Sequence, residues 1–238
     1  MPETETKKVS KNDFALIDLI GRIKDTGKVF DSTIQEVATK ADIYDEREVY
    51  KPRLVVVGSG WVLPGIDEAL EGLNIGETKT IEIPPEKGFG ERDPKNIKTL
   101  SAREFQKQNV KPRPGMTIRM KGRLATVLKV GGGRIRVDMN HPLAGQVLEY
   151  DVTIKNILEK DEDKIKALIE RRIIGVDTSK FTINISEKSV EISIPTEAVL
   201  INNIQFIKIG LVNDIFSNFS FESVKFLETF EKTTSEQS

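Results

Sequence analysis

Glycine and proline punctuate the first 160 residues at short intervals, and this leaves almost no room for helix. Apolar runs rich in β-branched residues are separated by Asp25-Thr-Gly27, Gly58-Ser-Gly60, Pro84-Pro85 and Gly131-Gly-Gly133. Breakers of this kind end strands and supply the positive φ that tight turns need. Residues 14–20, 29–33, 53–57, 78–83, 118–130, 134–139 and 147–158 read as strands. One segment departs from the pattern. Ile66, Ala69, Leu70 and Leu73 recur at the spacing of one helix face, with Pro64 suited to its start and Gly72 to its end. Beyond residue 160 the reading changes to helix over 163–172, strands over 181–185 and 190–194, helix over 196–216 and a last strand over 220–230.

Composition removes most reaction chemistries. The 238 residues contain no cysteine and one histidine. Disulfide scaffolds, thiolate ligands, a cysteine nucleophile and a multi-histidine metal site are therefore excluded. His141 stands before Pro142 in a loop with no second ligand in view, so it reads as structural, and neither a metal nor a cofactor is assigned. No apolar run approaches the ~18 residues that suggest a membrane helix. Residues 1–11 are polar and charged without an apolar leader, and read as a disordered tail on a cytoplasmic protein.

Several short motifs follow one another in a definite order. Gly21-Arg-Ile precedes Asp25-Thr-Gly-Lys-Val-Phe-Asp-Ser-Thr33. Then comes Val57-Gly-Ser-Gly-Trp-Val-Leu-Pro-Gly-Ile-Asp-Glu-Ala-Leu-Glu-Gly-Leu73, followed by Gly76-Glu. Ile83-Pro-Pro-Glu-Lys-Gly-Phe-Gly90 is next, and Leu148-Glu-Tyr-Asp-Val152 closes the series. Each piece is weak alone. Together they resemble the FKBP-type peptidyl-prolyl cis-trans isomerases over residues 12–90 and 146–158. The intervening residues 91–145 resemble the insert-in-flap chaperone module of the SlyD-like arrangement, whose end is matched by Asp138-Met-Asn-His-Pro-Leu-Ala-Gly-Gln146. The extension 159–238 fits the long archaeal-type members. The resemblance implies an α+β fold: a bent antiparallel sheet wrapped around the 63–73 helix, a small β-rich inserted domain, and a C-terminal α+β domain.

It also implies a site. Phe30 matches the aromatic wall beside the prolyl ring and Asp31 the carboxylate facing the rotating amide. Val62 and Leu63 match the segment that grips substrate, Ile66 the pocket floor, Phe89 the aromatic of the flap loop and Tyr150 that of the last strand. Asp31, Phe89 and Tyr150 are the expected catalytic residues. Leu19, Phe30, Val62, Leu63 and Ile66 are the expected pocket. The chemistry needs no nucleophile. An X–Pro amide resists rotation by ~18–20 kcal/mol of resonance, while its two isomers differ by only ~0.5–1 kcal/mol. Rotation removes charge from the carbonyl oxygen, so an apolar, water-poor cleft favours the twisted state. Three positions depart from the family pattern. Ile66 replaces a frequent tryptophan, Phe89 lacks a hydroxyl worth ~0.5–1.5 kcal/mol to a bound carbonyl, and Leu19-Ile20 removes another hydroxyl near Asp31.

Lys+Arg total 36 and Asp+Glu 37, yet this balance hides segregation. Between Phe105 and Val137 there are nine basic residues and no acid: Lys107, Lys111, Arg113, Arg119, Lys121, Arg123, Lys129, Arg134 and Arg136. Met116, Ile118, Met120, Leu124 and Val127 interleave with them and read as an adaptable chaperone surface for unfolded chains. Two alternatives stay open: a holdase with a degenerate isomerase pocket, and a ribosome- or RNA-associated protein that uses the basic stretch. Against base stacking, the stretch holds a single aromatic, Phe105, at its edge. The expected partners are unfolded or proline-containing polypeptides. Phe219, Phe221, Phe226 and Phe230 suggest a self-contained C-terminal domain that pairs with a second copy as a homodimer.

Overall fold

The computed structural model describes residues 7–106, 110–120 and 122–230. In chain order it runs through β1 (Phe14–Ile23), β2 (Val29–Ser32), α1 (Gln35–Lys40), β3 (Arg53–Val56), α2 (Pro64–Leu70) and β4 (Thr78–Ile83). The insert follows with β5 (Ile97–Ser101), α3 (Ala102–Gln106), β6 (Thr117–Met120), β7 (Arg123–Gly131) and β8 (Arg134–Asp138). The chain returns as β9 (Leu148–Leu158), then ends with α4 (Asp161–Arg172), β10 (Thr182–Ile185), β11 (Ser189–Ile194), α5 (Thr196–Val199), α6 (Ile204–Asn218) and β12 (Ser223–Glu228).

Three sheets result. The first has the order β2-β1-β9-β4, with β3 also pairing to β1, and every pairing is antiparallel. β1 shifts register between Leu16 and Ile17 against β9, and again beside Gly21 against β2. Such irregularities bend a strand and increase its twist. Ile66 and Leu70 of α2 pack with Ala15, Ile17, Leu19, Ile83, Leu148 and Ile154, so the short helix and one face of the sheet close a single core. The fold is α+β, as the sequence implied.

The insert is a four-stranded antiparallel sheet in the order β5-β8-β7-β6. Its β7–β8 hairpin turns at Gly132 and Gly133, whose φ values of 56° and 71° demand residues without a Cβ penalty. Two of the basic positions, Lys107 and Lys121, lie outside the described residues.

The third sheet, β10-β11-β12, pairs β11 with β12 in parallel. Parallel neighbours need a crossover, and α5 and α6 supply it. Two expectations are corrected here. The C-terminal unit is not self-contained: Phe14, Leu54 and Val56 from the first sheet share one core with Ile165, Leu168, Ile169, Leu211 and Ile215. β1 and β3 thus bury both faces, one on α2 and one on α4. β9 reaches Leu158 and α4 begins at Asp161, so only two residues join the units. Residues 7–11 are not a disordered tail. Val9 is 1% exposed, its N–H donates to the Leu73 carbonyl at 2.8 Å, and its own carbonyl accepts from Gly72 N–H at 2.8 Å. A β-branched side chain in the core and two backbone bonds hold it; residues 1–6 lie outside the described residues. No helix among the described residues is long and apolar enough to cross a membrane.

Candidate active site

β2 places Phe30 and Asp31 at the sheet edge, where Asp31 pairs with Gly21 of β1. Thr33, buried just beyond, locks that edge: its hydroxyl donates to Asp18 Oδ1 at 3.0 Å and accepts from Leu19 N–H at 3.0 Å. On the other side of β1, Gly21 pairs with Tyr150 of β9. The Tyr150 ring folds over the glycine so closely that a Cβ there would lie 2.6 Å from Cε1.

Three aromatic rings converge on this spot. Phe30 meets Tyr150 edge-on at 5.7 Å and 88°, and meets Phe89 at 6.3 Å and 74°. These are favourable quadrupole geometries. His141 stacks flat on Phe89 at 4.2 Å and 11°, while its Nδ1 accepts from Leu143 N–H at 3.2 Å. The histidine is thus held by its own loop and stands at the edge of the ring cluster. Val62, Leu63 and Ile66 belong to the same packed cluster. Their segment is held by Asp67, whose carboxylate accepts from Gly58 N–H at 2.8 Å and from Gly60 N–H at 2.9 Å. Those two bonds tie the Gly58-Ser-Gly60 turn to the first turn of α2.

Burial sorts these residues. Phe30, Asp31, Val62, Leu63 and Phe89 retain surface, whereas Tyr150 and Ile66 are each 2% exposed and can serve only as wall and floor. Leu19, at 1% exposure, lies in the same core cluster and, like Ile66 and Tyr150, can only back the pocket. Burial pushes the Tyr150 hydroxyl to a higher pKa, and the negative charge of Asp31 pushes it further in the same direction. Tyr150 therefore stays a neutral phenol.

Arg53 escaped the sequence reading. It lies on β3, opposite Ile17, and its guanidinium reaches Asp31 at 3.3 Å. No local pattern marks it, since 22 residues separate the pair. Also unforeseen is the clasp where the insert leaves the body. Asp138 accepts from Arg92 Nε at 2.7 Å, from Asn140 N–H at 2.9 Å and from Asn140 Nδ2 at 2.7 Å. Burial alone would raise the Asp138 pKa, but these donors outweigh it and hold the carboxyl below its ordinary value.

The five residues expected to form one chaperone surface do not share a face. Ile118 pairs with Ala125 and, with Val127, is buried in the insert core. Leu124 sits opposite Arg119 on the other face and is 53% exposed. Alternation forces this split, because Ile118 and Arg119 are neighbours on one strand. Met116, Ile118 and Met120 do meet Phe105 and Val110 around a cleft of about 200 Å³. Lys129 and Arg136 pair directly across β7 and β8 and are exposed, so the outer face of the sheet is basic.

Comparison with known proteins agrees with this layout. A family model described as FKBP26_C-terminal matches residues 161–231, and one described as FKBP26, IF domain, matches residues 99–143. The chain is 36% identical over 149 residues to the short-type peptidyl-prolyl cis-trans isomerase of Methanocaldococcus jannaschii, covering 63% of this chain and 94% of that one. It is 32% identical over 134 residues to the FKBP-type peptidyl-prolyl cis-trans isomerase SlyD of Treponema pallidum, covering 55% and 76%. The crystal structure of AtFKBP13 aligns at a TM-score of 0.35 and 17% identity over 65% of this chain and 86% of that one, a likeness too slight to add to the topology. On the identity and coverage of these two relatives, the chain belongs to the FKBP-type peptidyl-prolyl cis-trans isomerases.

Proposed function

We propose that this protein is a cytoplasmic peptidyl-prolyl cis-trans isomerase with chaperone activity, acting on X–Pro bonds in unfolded or partly folded chains. The observation that carries the reading is the convergence of Phe30, Phe89 and Tyr150 beside a single carboxylate, Asp31. Phe30 and Phe89 offer an apolar seat for a prolyl ring. Buried Tyr150 and Ile66 close the seat from behind and keep water out. A planar amide entering such a site loses the solvation of its carbonyl dipole, and the twisted amide, with less dipole, loses less. Asp31 is oriented by Arg53 and supplies the carboxylate facing the rotating bond. Neither metal nor cofactor enters the scheme.

Supporting chaperone activity, the Met116–Ile118–Met120 cleft offers polarizable, adaptable side chains to unfolded segments. As a further partner we assign a second copy of this chain. Phe219, Phe221 and Phe226 pack into the C-terminal core, so they do not offer the contact. The exposed Phe206, Ile209 and Phe216 on one side of α6 do. The basic outer face of the insert favours a second reading, in which phosphate backbones bind there; a salt-dependent shift of RNA would support it.

The test is proline-limited refolding. Wild-type protein shortens the slow phase, and Asp31→Ala weakens the effect. A slow phase left at its uncatalysed rate, tens to hundreds of seconds at 25 °C, defeats the reading.

A further inference from the structure

Beside Asp31 the structure opens a groove of about 720 Å³, within the usual range for ligand clefts. Its lining includes Phe30 and Asp31 but none of Val62, Leu63, Ile66 or Phe89. It is therefore a separate space that shares one wall with the candidate active site. The 47–54 segment forms one side. The C-terminal end of α4 and the turn after it, through Val176, form the other.

The chemistry of the groove is apolar at its lips and neutralised within. Val49 is 58% exposed and Ile174 69% exposed, one from each side. Each basic residue of the lining already has an acidic partner: Arg47 with Asp45, Lys51 with Glu170, Arg53 with Asp31 and Arg171 with Asp214. No cation is left over in this lining to select an acidic ligand. Glu48 adds one further acid to the lining, and exposed aliphatic side chains beside basic residues that are already ion-paired suit an extended polypeptide with apolar side chains.

We propose that this groove is a client subsite for the apolar residues that precede the proline, built jointly by the 47–54 segment and the C-terminal unit. The inference rests on the isomerase reading of the Phe30–Asp31 site. With the prolyl ring against Phe30 and the rotating amide at Asp31, the chain before the proline leaves past Asp31, directly into the groove. The C-terminal unit thereby acts in substrate selection as well as in stability.

The test compares a proline tetrapeptide with peptides lengthened by four apolar residues either before or after the proline. The readout is the ratio of kcat/KM for the long peptide to that for the short one. In wild-type protein, lengthening before the proline raises the ratio about tenfold, the gain expected from burying one aliphatic side chain. Lengthening after it gives no gain through this groove. In I174E and in V49E, each an exposed position that leaves the core intact, the ratio returns to about one. A wild-type ratio near one, or a gain that survives both variants, overturns the subsite while leaving the isomerase reading standing. Absence of turnover on the tetrapeptide itself overturns the isomerase reading and the subsite with it.

Discussion

Gly21→Ala isolates the feature on which the aromatic cluster depends. The backbone of Gly21 is not in the left-handed region, so glycine is not required there by conformation. The requirement is spatial. A Cβ at this position would lie 2.6 Å from Cε1 and 2.7 Å from Cζ of Tyr150, about 1 Å inside ordinary carbon contact. The ring has nowhere to go, because it is buried and meets the edge of Phe30 at 5.7 Å. Overpacking of this kind costs ~1–3 kcal/mol. Without the clash, exchanging a strand glycine for alanine would stabilise by roughly 0.5–1 kcal/mol. The two effects have opposite signs, so the direction of the change decides. With a slope of ~2 kcal/mol per molar urea, a loss of ~2 kcal/mol lowers the unfolding midpoint by about 1 M. The assay is urea unfolding followed by tryptophan fluorescence, together with proline-limited refolding catalysed by the folded variant. Activity falls by more than the unfolded fraction explains, because the displaced ring pushes Phe30. Adding Tyr150→Leu to the Gly21→Ala variant removes most of the penalty, since the shorter side chain no longer meets the new methyl. A midpoint equal to or above wild type, or strict additivity of the two substitutions, refutes the reasoning.

Other outcomes follow from the ionisable groups and the insert. The Asp138 pKa is depressed in the folded state, so its contribution is complete above the unfolded value of ~3.9 and disappears as pH falls through the lower folded value. Thermal melts of the wild type therefore lose an increment below about pH 4 that Asp138→Asn never has. The Tyr150 pKa is raised, so its contribution is present below the unfolded value of ~10 and is lost as pH rises through the folded value. In a spectrophotometric titration the Tyr150 phenolate is missing at about pH 10 and appears only at higher pH or on unfolding. Asp214→Ala strips Arg172 of two bonds of 2.6 and 2.7 Å and costs on the order of 1–3 kcal/mol in urea unfolding. Met116→Glu slows catalysed refolding of a protein substrate and leaves tetrapeptide turnover intact; equal loss on both substrates removes the insert from client binding.

Most of the candidate site is legible through the family resemblance, because the motifs that carry it are local. Phe30 with Asp31, Val62 with Leu63 and Ile66, and Phe89 with Gly90 each lie within a few residues, where turn chemistry and helical spacing operate. Tyr150 is legible through the alternation of β9. A motif by itself says nothing about which face of a strand a residue occupies. The expected chaperone set divides for the same reason: Ile118, Val127 and Leu124 are all apolar, but strand parity sends Leu124 to solvent and the other two inward. Arg53 and the Asp138 clasp lie beyond sequence reasoning, since each joins residues more than twenty positions apart.

The C-terminal unit shows where the division falls. Its strands and helices are visible in periodicity and in its own aromatic inventory. One clue to its attachment is present as well: Phe14-Ala-Leu-Ile17 and Leu54-Val-Val-Val57 are continuous apolar runs, as in strands buried on both faces. The runs do not say what covers the second face. Which residues form strands and where turns occur follow from local backbone preference and side-chain spacing, and these are properties of the chain; the segments of the candidate prolyl site follow from the family resemblance of its motifs. That α4 and α6 share a core with β1 and β3, and that α4 walls the groove beside Asp31, depends on burial of apolar area between segments more than a hundred residues apart. Hydrophobic burial has no direction and no sequence address, so only the folded molecule selects the partner.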